Sequence, residues 1–270
     1  MSNTGKMQRG TTVHLKSPEE IAVMREAGRI VALAHQAMRA AVKPGVTTAE
    51  LDKIAETVIR DNKAIPAFLG YPKHGAPDYP GTINASINNE LVHGLPGKRA
   101  LKEGDIISLD VGCIYDGFVG DAAFTMGVGE ISPAIQRLLD VTEQALYVGI
   151  KASVLPNETK HVSLAIQEYV SKFGYSLARE YTGHGVGRHM HEEPQVPNWW
   201  PKGARQRGFI SYKLQPGMTY AIEPMVIAGR AETRELDDKW TVVTRDGSLC
   251  AHFEHTIAIT GGEPIILTVL

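Results

Sequence analysis

Ile106-Ile107-Ser108-Leu109-Asp110-Val111-Gly112-Cys113-Ile114-Tyr115-Asp116-Gly117-Phe118-Val119-Gly120-Asp121-Ala122-Ala123 reads as two strands folded back on each other. Alternating segments, Ile106 to Ile114 and Phe118 to Val128, flank Asp116-Gly117, a dipeptide that favours the tight turn of a β-hairpin. A two-residue loop pairs Tyr115 with Phe118 and, in the same register, Asp110 with Ala123. Side chains two apart on a strand share a face, so Asp110 and Asp121 become diagonal neighbours, about 7–8 Å apart along one side of the sheet. Aspartate is depleted in strands and like charges repel, so such a pair needs a cation or a shared proton. The alternative is that one aspartate stands outside the strand and caps a turn.

Three further stretches bear on that choice. Thr182-Gly183-His184-Gly185-Val186-Gly187-Arg188-His189-Met190-His191-Glu192-Glu193-Pro194 sets three histidines on a glycine-rich run, where missing side chains let backbone approach a ligand. Ala221-Ile222-Glu223-Pro224-Met225 places a carboxylate in an apolar, strand-like segment, and His252-Phe253-Glu254-His255-Thr256 does the same within 249–259. Acids on buried strands are costly unless paired or metal-bound. Each glutamate alone is more often an exposed face residue; their joint occurrence is the argument for a site. Other motifs fail. There is no HExxH, GxSxG or P-loop, and Arg188 stands where a dinucleotide loop needs its third glycine.

The flanks are helical. Ser17-Pro18-Glu19-Glu20 is a capping box with proline at the first helical position, followed by apolar Ile21, Met24, Ile30, Val31 and Met38. Lys43-Pro44-Gly45 ends that helix, and Thr47-Thr48-Ala49-Glu50 opens a second that stops near Asn62. From Ile65 to Gly104 proline, glycine, asparagine and tyrosine predict loop. Helices return from Ser132-Pro133 to about Ala152 and from about Thr159 to Phe173, with Gly174 as the cap. A shift of 112 aligns Pro44 with Pro156, Thr47 with Thr159, Ile54 with Ile166 and Val58 with Val170. Internal duplication and the common look of amphipathic helices both account for that echo. Residues 1–15 are polar and aperiodic and are expected to form a mobile arm, ahead of one domain over 16–270.

Composition bounds the function. The 28 Lys+Arg and 30 Asp+Glu residues give a net charge of -2, which offers no long nucleic-acid-binding surface. With 43% hydrophobic and 21% charged residues the chain is globular rather than disordered. Two cysteines, Cys113 and Cys250, stand outside any CxxC context, as in reduced cytosolic proteins. No signal-like or membrane-spanning apolar run is present, so a cytoplasmic location without membrane contact is expected.

The set Asp110, Asp121, His184, Glu223 and Glu254, in this order and with these flanks, resembles the type I methionine aminopeptidases. Asn89-Glu90-Leu91-Val92-His93-Gly94-Leu95-Pro96, His184-Gly185-Val186-Gly187, Ile222-Glu223-Pro224-Met225 and Phe253-Glu254-His255-Thr256 all match family motifs, and the likeness runs from about Leu15 to the end. It implies an α/β (α+β) pita-bread fold, with two pseudo-symmetric halves, a central curved antiparallel sheet and helices on its outer side. It also implies two divalent ions (Co, Mn, Fe or Zn), with Asp121 and Glu254 bridging, Asp110 chelating one ion, and His184 with Glu223 holding the other. By the same resemblance His191 stabilises the oxyanion, His93 lies near the substrate amide or amine, and Glu223 assists proton transfer. Tyr71, Tyr79, Asn84, Met190 and Trp240, with Phe68 nearby, become walls of a methionine pocket. Residues 72–78 make this chain longer there than is usual, and Met190 and Asn84 replace residues commonly aromatic and cysteine. A monovalent-cation site is implied as well, where Cys250 replaces a serine. The expected activity is removal of the initiator methionine from nascent polypeptides with a small second residue, by a monomer able to meet the ribosome. A proline-directed peptidase of the same fold and a non-catalytic partner-binding module are the competing readings; the former usually adds an amino-terminal domain for which this length leaves no room.

Overall fold

The computed structural model describes residues 12–203 and 208–270. The arm expected over 1–15 thus falls, as far as residue 11, outside the described residues. Lys16 is already anchored: its amide donates to the Gly217 carbonyl at 2.7 Å and its side chain is buried.

Helix α1 (Pro18–Ala41) starts at the anticipated box, with Ser17 and Glu20 capping each other's backbone amides. Its buried face is Met24, Ala27, Ile30, Val31, Ala34 and Met38. The helix stops where Val42 turns extended, two residues before Pro44. Helix α2 (Thr48–Asp61) begins with the second box, Thr47 and Glu50, and buries Leu51, Ala55 and Ile59.

The segment expected to be loop over 65–104 holds three strands: β1 (Ile65–Pro66), β2 (Ile83–Ile87) and β3 (Glu90–Val92). The correction matters most for β2, Ile-Asn-Ala-Ser-Ile. All five of its residues are buried, so it lacks the polar alternation that marks a one-sided strand.

Strands β4 (Ile106–Tyr115) and β5 (Phe118–Gly127) form the anticipated hairpin, with Asp110 opposite Ala123 and Gly112 opposite Asp121. Asp116 and Gly117 take φ of 46° and 77°, the positive values a two-residue hairpin loop requires. Strand β4 also pairs with β1 and β2, setting Asn84 opposite Asp110. α1 lies directly on this sheet: a Cβ on Gly120 would come within 2.6 Å of the Ala27 carbonyl carbon. Glycine there lets helix and strand backbones touch beside Asp121.

Helices α3 (Pro133–Ala152) and α4 (Thr159–Ser171) open the second half; α4 ends two residues before the expected Phe173, at a turn closed by Gly174. Then come β6 (Ser176–Leu177), β7 (Thr182–Gly185), β8 (Glu192–Pro197), β9 (Thr219–Ile222) and β10 (Met225–Ile227). Strands β11 (Thr233–Glu235), β12 (Val242–Thr244), β13 (Cys250–His252), β14 (His255–Ala258) and β15 (Ile265–Ile266) finish the chain. One sheet orders β15-β14-β9-β7-β8, another β13-β10-β6, and a third β11-β12-β3.

Glu223 and Glu254 were expected within strands, and both lie at strand breaks. β9 pairs with β14 through Ile222 opposite His255, and β10 with β13 through Met225 opposite His252. The register is the same on both sides, so Glu223 and Glu254 face each other across a shared interruption. Pro224, which lacks an amide proton, accounts for the break on one side. Two helices followed by a paired-strand unit thus occur twice in the chain. The units join where the Glu254 amide donates to the Ala123 carbonyl at 2.8 Å and the Thr256 hydroxyl to the Asp121 carbonyl at 2.7 Å. The main hydrophobic core runs from α1 through β4 and β5 to β9 and β14.

Candidate active site

Four carboxylates and an imidazole meet where these units join. Asp110 and Asp121 project from the β4–β5 hairpin, His184 from β7, and Glu223 and Glu254 from the double break. Gly183 makes room for His184, since a Cβ there would sit 2.5 Å from the Ala221 carbonyl oxygen. Ligand atoms of Asp121, His184 and Glu254 all lie within 4.8 Å of one another. Nε2 of His184 is 3.5 Å from Oε1 of Glu223 and 3.9 Å from Oδ2 of Asp121. Nδ1 of His184 lies 3.0 Å from the Gly185 carbonyl. A carbonyl only accepts, so Nδ1 carries the proton and Nε2 turns a lone pair to the carboxylates.

Burial dominates the electrostatics. It raises Asp121, Glu223 and Glu254 well above the usual carboxylate range, and their mutual charges push the same way. Asp110 is pushed up to about 7 by burial, opposed by the 2.6 Å hydrogen bond from the Asn84 amide to Oδ2. Burial lowers His184 to about 3, the neutral state a ligating imidazole needs. Oδ1 of Asp110, Oδ1 of Asp121, Oε1 of Glu223 and Oε1 of Glu254 are buried without hydrogen-bond partners. Among the described residues the ion-pair contacts of these four acids involve histidines only. Buried carboxylate oxygens with no donor and no lysine or arginine suit divalent cations in charge and ligand type. The residues present therefore fit a metal centre.

Comparison with known proteins agrees with this chemistry. A model of metallopeptidase family M24 matches residues 22–261. The chain belongs to metallopeptidase family M24. Within it, the chain is 50% identical over 253 residues to methionine aminopeptidase 1 of Bacillus subtilis, spanning 94% of this chain and 98% of that protein. Against the methionine aminopeptidase of Clostridium acetobutylicum the identity is 47% over 255 residues, with 94% and 98% covered. A solved methionine aminopeptidase from Thermotoga maritima superposes with a TM-score of 0.90 at 42% identity, covering 96% of this chain and all of that one. A Xaa-Pro dipeptidase from Bacillus anthracis shares the fold, at TM-score 0.74 and 22% identity, and the match takes in only 61% of its longer chain. The pita-bread architecture and the metallo-exopeptidase character are thus those of the family, and the cluster of Asp121, His184 and Glu254 is a candidate site for the divalent metal this chemistry uses.

The remaining residues anticipated for an M24 site open onto one cleft of about 1280 Å³. His191 is exposed at its mouth, its ring 4.3 Å from that of His184, and Nδ1 shares a 2.8 Å hydrogen bond with the Tyr71 hydroxyl. His93 follows β3 in a left-handed backbone conformation, φ 59°, with its ring edge-on to Tyr181 and Trp240. Burial lowers its pKa to about 4, with Lys73 and His191 adding to the effect.

Phe68, Tyr79, Met190 and Trp240 form a separate buried apolar cluster, with Tyr71 packed at its edge. Tyr79 meets Trp240 edge-on at 5.0 Å, and its hydroxyl lies 2.9 Å from the Gly94 carbonyl. The Tyr79 amide donates to the Tyr71 carbonyl at 3.0 Å, so residues 72–78 loop outward between two tyrosines that both line the cleft. The loop is tied back by the Trp240 indole donating to the Pro77 carbonyl at 2.9 Å and by Lys73 pairing with Glu235. Asn84 serves Asp110 as well as the cleft wall. At the expected monovalent-ion position the Cys250 thiol donates to the Asn88 carbonyl at 3.4 Å.

His252 is a cleft residue that sequence reasoning passed over. It sits two positions before Glu254, the spacing that puts strand side chains on one face, and that signal was available.

Proposed function

We propose that this chain removes the amino-terminal methionine of newly made polypeptides, using two divalent ions held by Asp110, Asp121, His184, Glu223 and Glu254. The observation that carries the reading is the convergence of four buried carboxylates, each with an oxygen lacking a partner, on an imidazole lone pair beside an apolar pocket. Asp121 and Glu254, at the centre of the cluster with His184, would be shared between the ions, and Asp110 and Glu223 would complete the set that holds them. Bound divalent ions supply Lewis acidity and lower the pKa of water. Four carboxylates balance two such charges while His184 stays neutral.

The side chains do the rest. The apolar walls seat the methionine thioether against aromatic rings, a contact worth about 0.3–1.5 kcal/mol. His93 orients the substrate amide or amine. Glu223 takes a proton from the attacking water and passes it toward the leaving amine. With the Tyr71 phenol donating to Nδ1, His191 keeps its proton on Nε2 and donates it to the developing oxyanion. A shallow site beyond the scissile bond favours Gly, Ala or Ser as the second residue.

Mn, Fe and Co suit an oxygen-rich set at least as well as Zn. A potassium or sodium ion near Asn88 would have to displace the Cys250 thiol. A monomer in the cytoplasm, meeting chains as they leave the ribosome, fits such a substrate, and among the described residues no helix is long and apolar enough to cross a membrane. Residues 16–270 act as one catalytic domain. The deciding experiment compares Met-Ala-Ser with Xaa-Pro peptides on Mn- or Co-loaded protein: preferred release of methionine is expected. Cleavage restricted to Xaa-Pro, or metal binding without hydrolysis of either, would overturn the reading.

A further inference from the structure

His252 has no part in the mechanism above, yet it is 3% exposed and its Nε2 lacks a hydrogen-bond partner. That nitrogen is 3.8 Å from Oε2 of Glu223 and 3.8 Å from Oε2 of Glu254. Each glutamate turns one oxygen toward it. Their Oε1 atoms are the ones left without partners, and that of Glu223 lies 3.5 Å from Nε2 of His184. One oxygen of each glutamate thus faces the ligand cluster or stands open, and the other faces His252.

The mount of this imidazole is rigid. His252 ends β13 opposite Met225, immediately before the break that carries both glutamates. Thr125 clamps its backbone from the neighbouring hairpin: the His252 amide donates to Oγ1 at 2.9 Å, and that hydroxyl donates to the His252 carbonyl at 2.8 Å. The Ser108 hydroxyl, 2.8 Å from the same Oγ1, extends the link across to β4. By contrast, the terminal torsion of a glutamate is broad, so a carboxylate at a chain break needs an outside donor to fix which oxygen points where.

We propose that His252 is a positioning residue of the metal centre, donating Nε2–H to the Oε2 atoms of Glu223 and Glu254 and so setting the oxygens they present to the cations. The inference rests on the metal-dependent reading above and assigns His252 no contact with substrate. Each gap of 3.8 Å is about 0.6 Å beyond the range of an N–H···O bond, so a small carboxylate rotation closes either one. Donors of this kind orient ligands, and their loss typically weakens metal binding about 10–100-fold.

The test is calorimetric titration of metal-stripped wild type, His252→Ala and His252→Gln with Mn, alongside Met-Ala-Ser hydrolysis at saturating Mn. His252→Ala should bind Mn at least about tenfold more weakly, His252→Gln should recover most of that loss through its amide donor, and KM at saturating metal should stay put. Should His252→Ala fail to fold, His252→Phe keeps a ring of similar size without the donor and is read the same way. Equal Mn affinity in wild type and His252→Ala (or Phe) overturns the proposal. So does a His252→Gln variant as weak as His252→Ala, which would point to direct ligation. Wild type that binds no Mn sinks the metal reading itself and this step with it, whereas wild type that binds Mn and cleaves the peptide isolates the result to His252.

Discussion

The Tyr71 hydroxyl and Nδ1 of His191 lie 2.8 Å apart, joining the loop ahead of β2 to the glycine-rich run ahead of β8. The contact fixes an exposed imidazole beside the buried His184. His191→Ala should therefore retain its metal content and lose about 10²–10³ in kcat, the usual consequence of deleting an oxyanion donor. Tyr71→Phe should lose less, because the ring stays while its orientation loosens. Elemental analysis and steady-state hydrolysis of Met-Ala-Ser on both variants check this.

Glu254→Ala should lose metal and activity together. Glu254 shares the cluster with Asp121 and His184 and faces Glu223 across the strand break. Two ions per chain in the purified variant would contradict a bridging carboxylate.

Metal removal should make stability fall with pH above neutrality. Acids whose folded pKa is raised bind more protons folded than unfolded, so their contribution is complete below the ordinary values of 3.8 and 4.5 and is lost as pH rises through the folded values, about 7 for Asp110 and higher for its three partners. The buried histidines run the other way: His184 and His252, lowered to about 3, and His93, lowered to about 4, add stability as pH climbs to 6.5. Just above pH 7 the carboxylates dominate; nearer 9 the buried thiols of Cys113 and Cys250, also raised by burial, add a fall common to both forms. Thermal unfolding of chelator-stripped protein should show Tm dropping between about pH 7 and 8, below the range of the thiols, while Mn-loaded protein, its carboxylates held ionised, should not. Parallel Tm curves for the two forms would count against the metal assignment.

Gly112→Ala should narrow the methionine pocket without touching a ligand. A Cβ there would stand 2.8 Å from Cε of Met190 and 2.9 Å from Cε1 of Phe68, so both side chains must move. Overpacking of this kind costs about 1–3 kcal/mol. A raised KM for Met-Ala-Ser with unchanged metal content is the expected signature; an unchanged KM would remove Phe68 and Met190 from the pocket wall.

Lys16→Met should destabilise the metal-loaded protein by about 3–5 kcal/mol, the penalty for leaving one partner of a buried ion pair alone. Nζ of Lys16 is 2.6 Å from Oε2 of Glu192, and the two side chains are 4% and 8% exposed. Glu192 also accepts the His189 amide, which ties this pair to the run carrying Met190 and His191. Urea unfolding of the loaded variant gives the measurement, and a loss within error of zero would show that the pair contributes nothing net.

Short-range chemistry made much of the fold legible. Capping boxes at Ser17 and Thr47 and the turn at Asp116-Gly117 are set by neighbours a few positions away, so the helix starts and the register of Asp110 and Asp121 could be read directly. Strand β2 could not, because burial on both faces removes alternation and leaves Asn84 and Ser86 looking like loop. The extra residues at 72–78 were similarly opaque: only the Tyr79 amide bonding back to the Tyr71 carbonyl shows how the chain closes across them.

By itself, the sequence determined the hairpin and the helix starts, since each follows from local spacing, and it marked the five candidate ligands through the likeness of their flanks to family motifs. Only the tertiary structure decided that Glu223 and Glu254 confront each other at a double strand break, and that His252 stands behind them. Those relations depend on pairing between segments some thirty positions apart and on the junction at Ala123 and Glu254, where burial, rather than any local preference, fixes which charged groups must share one small space.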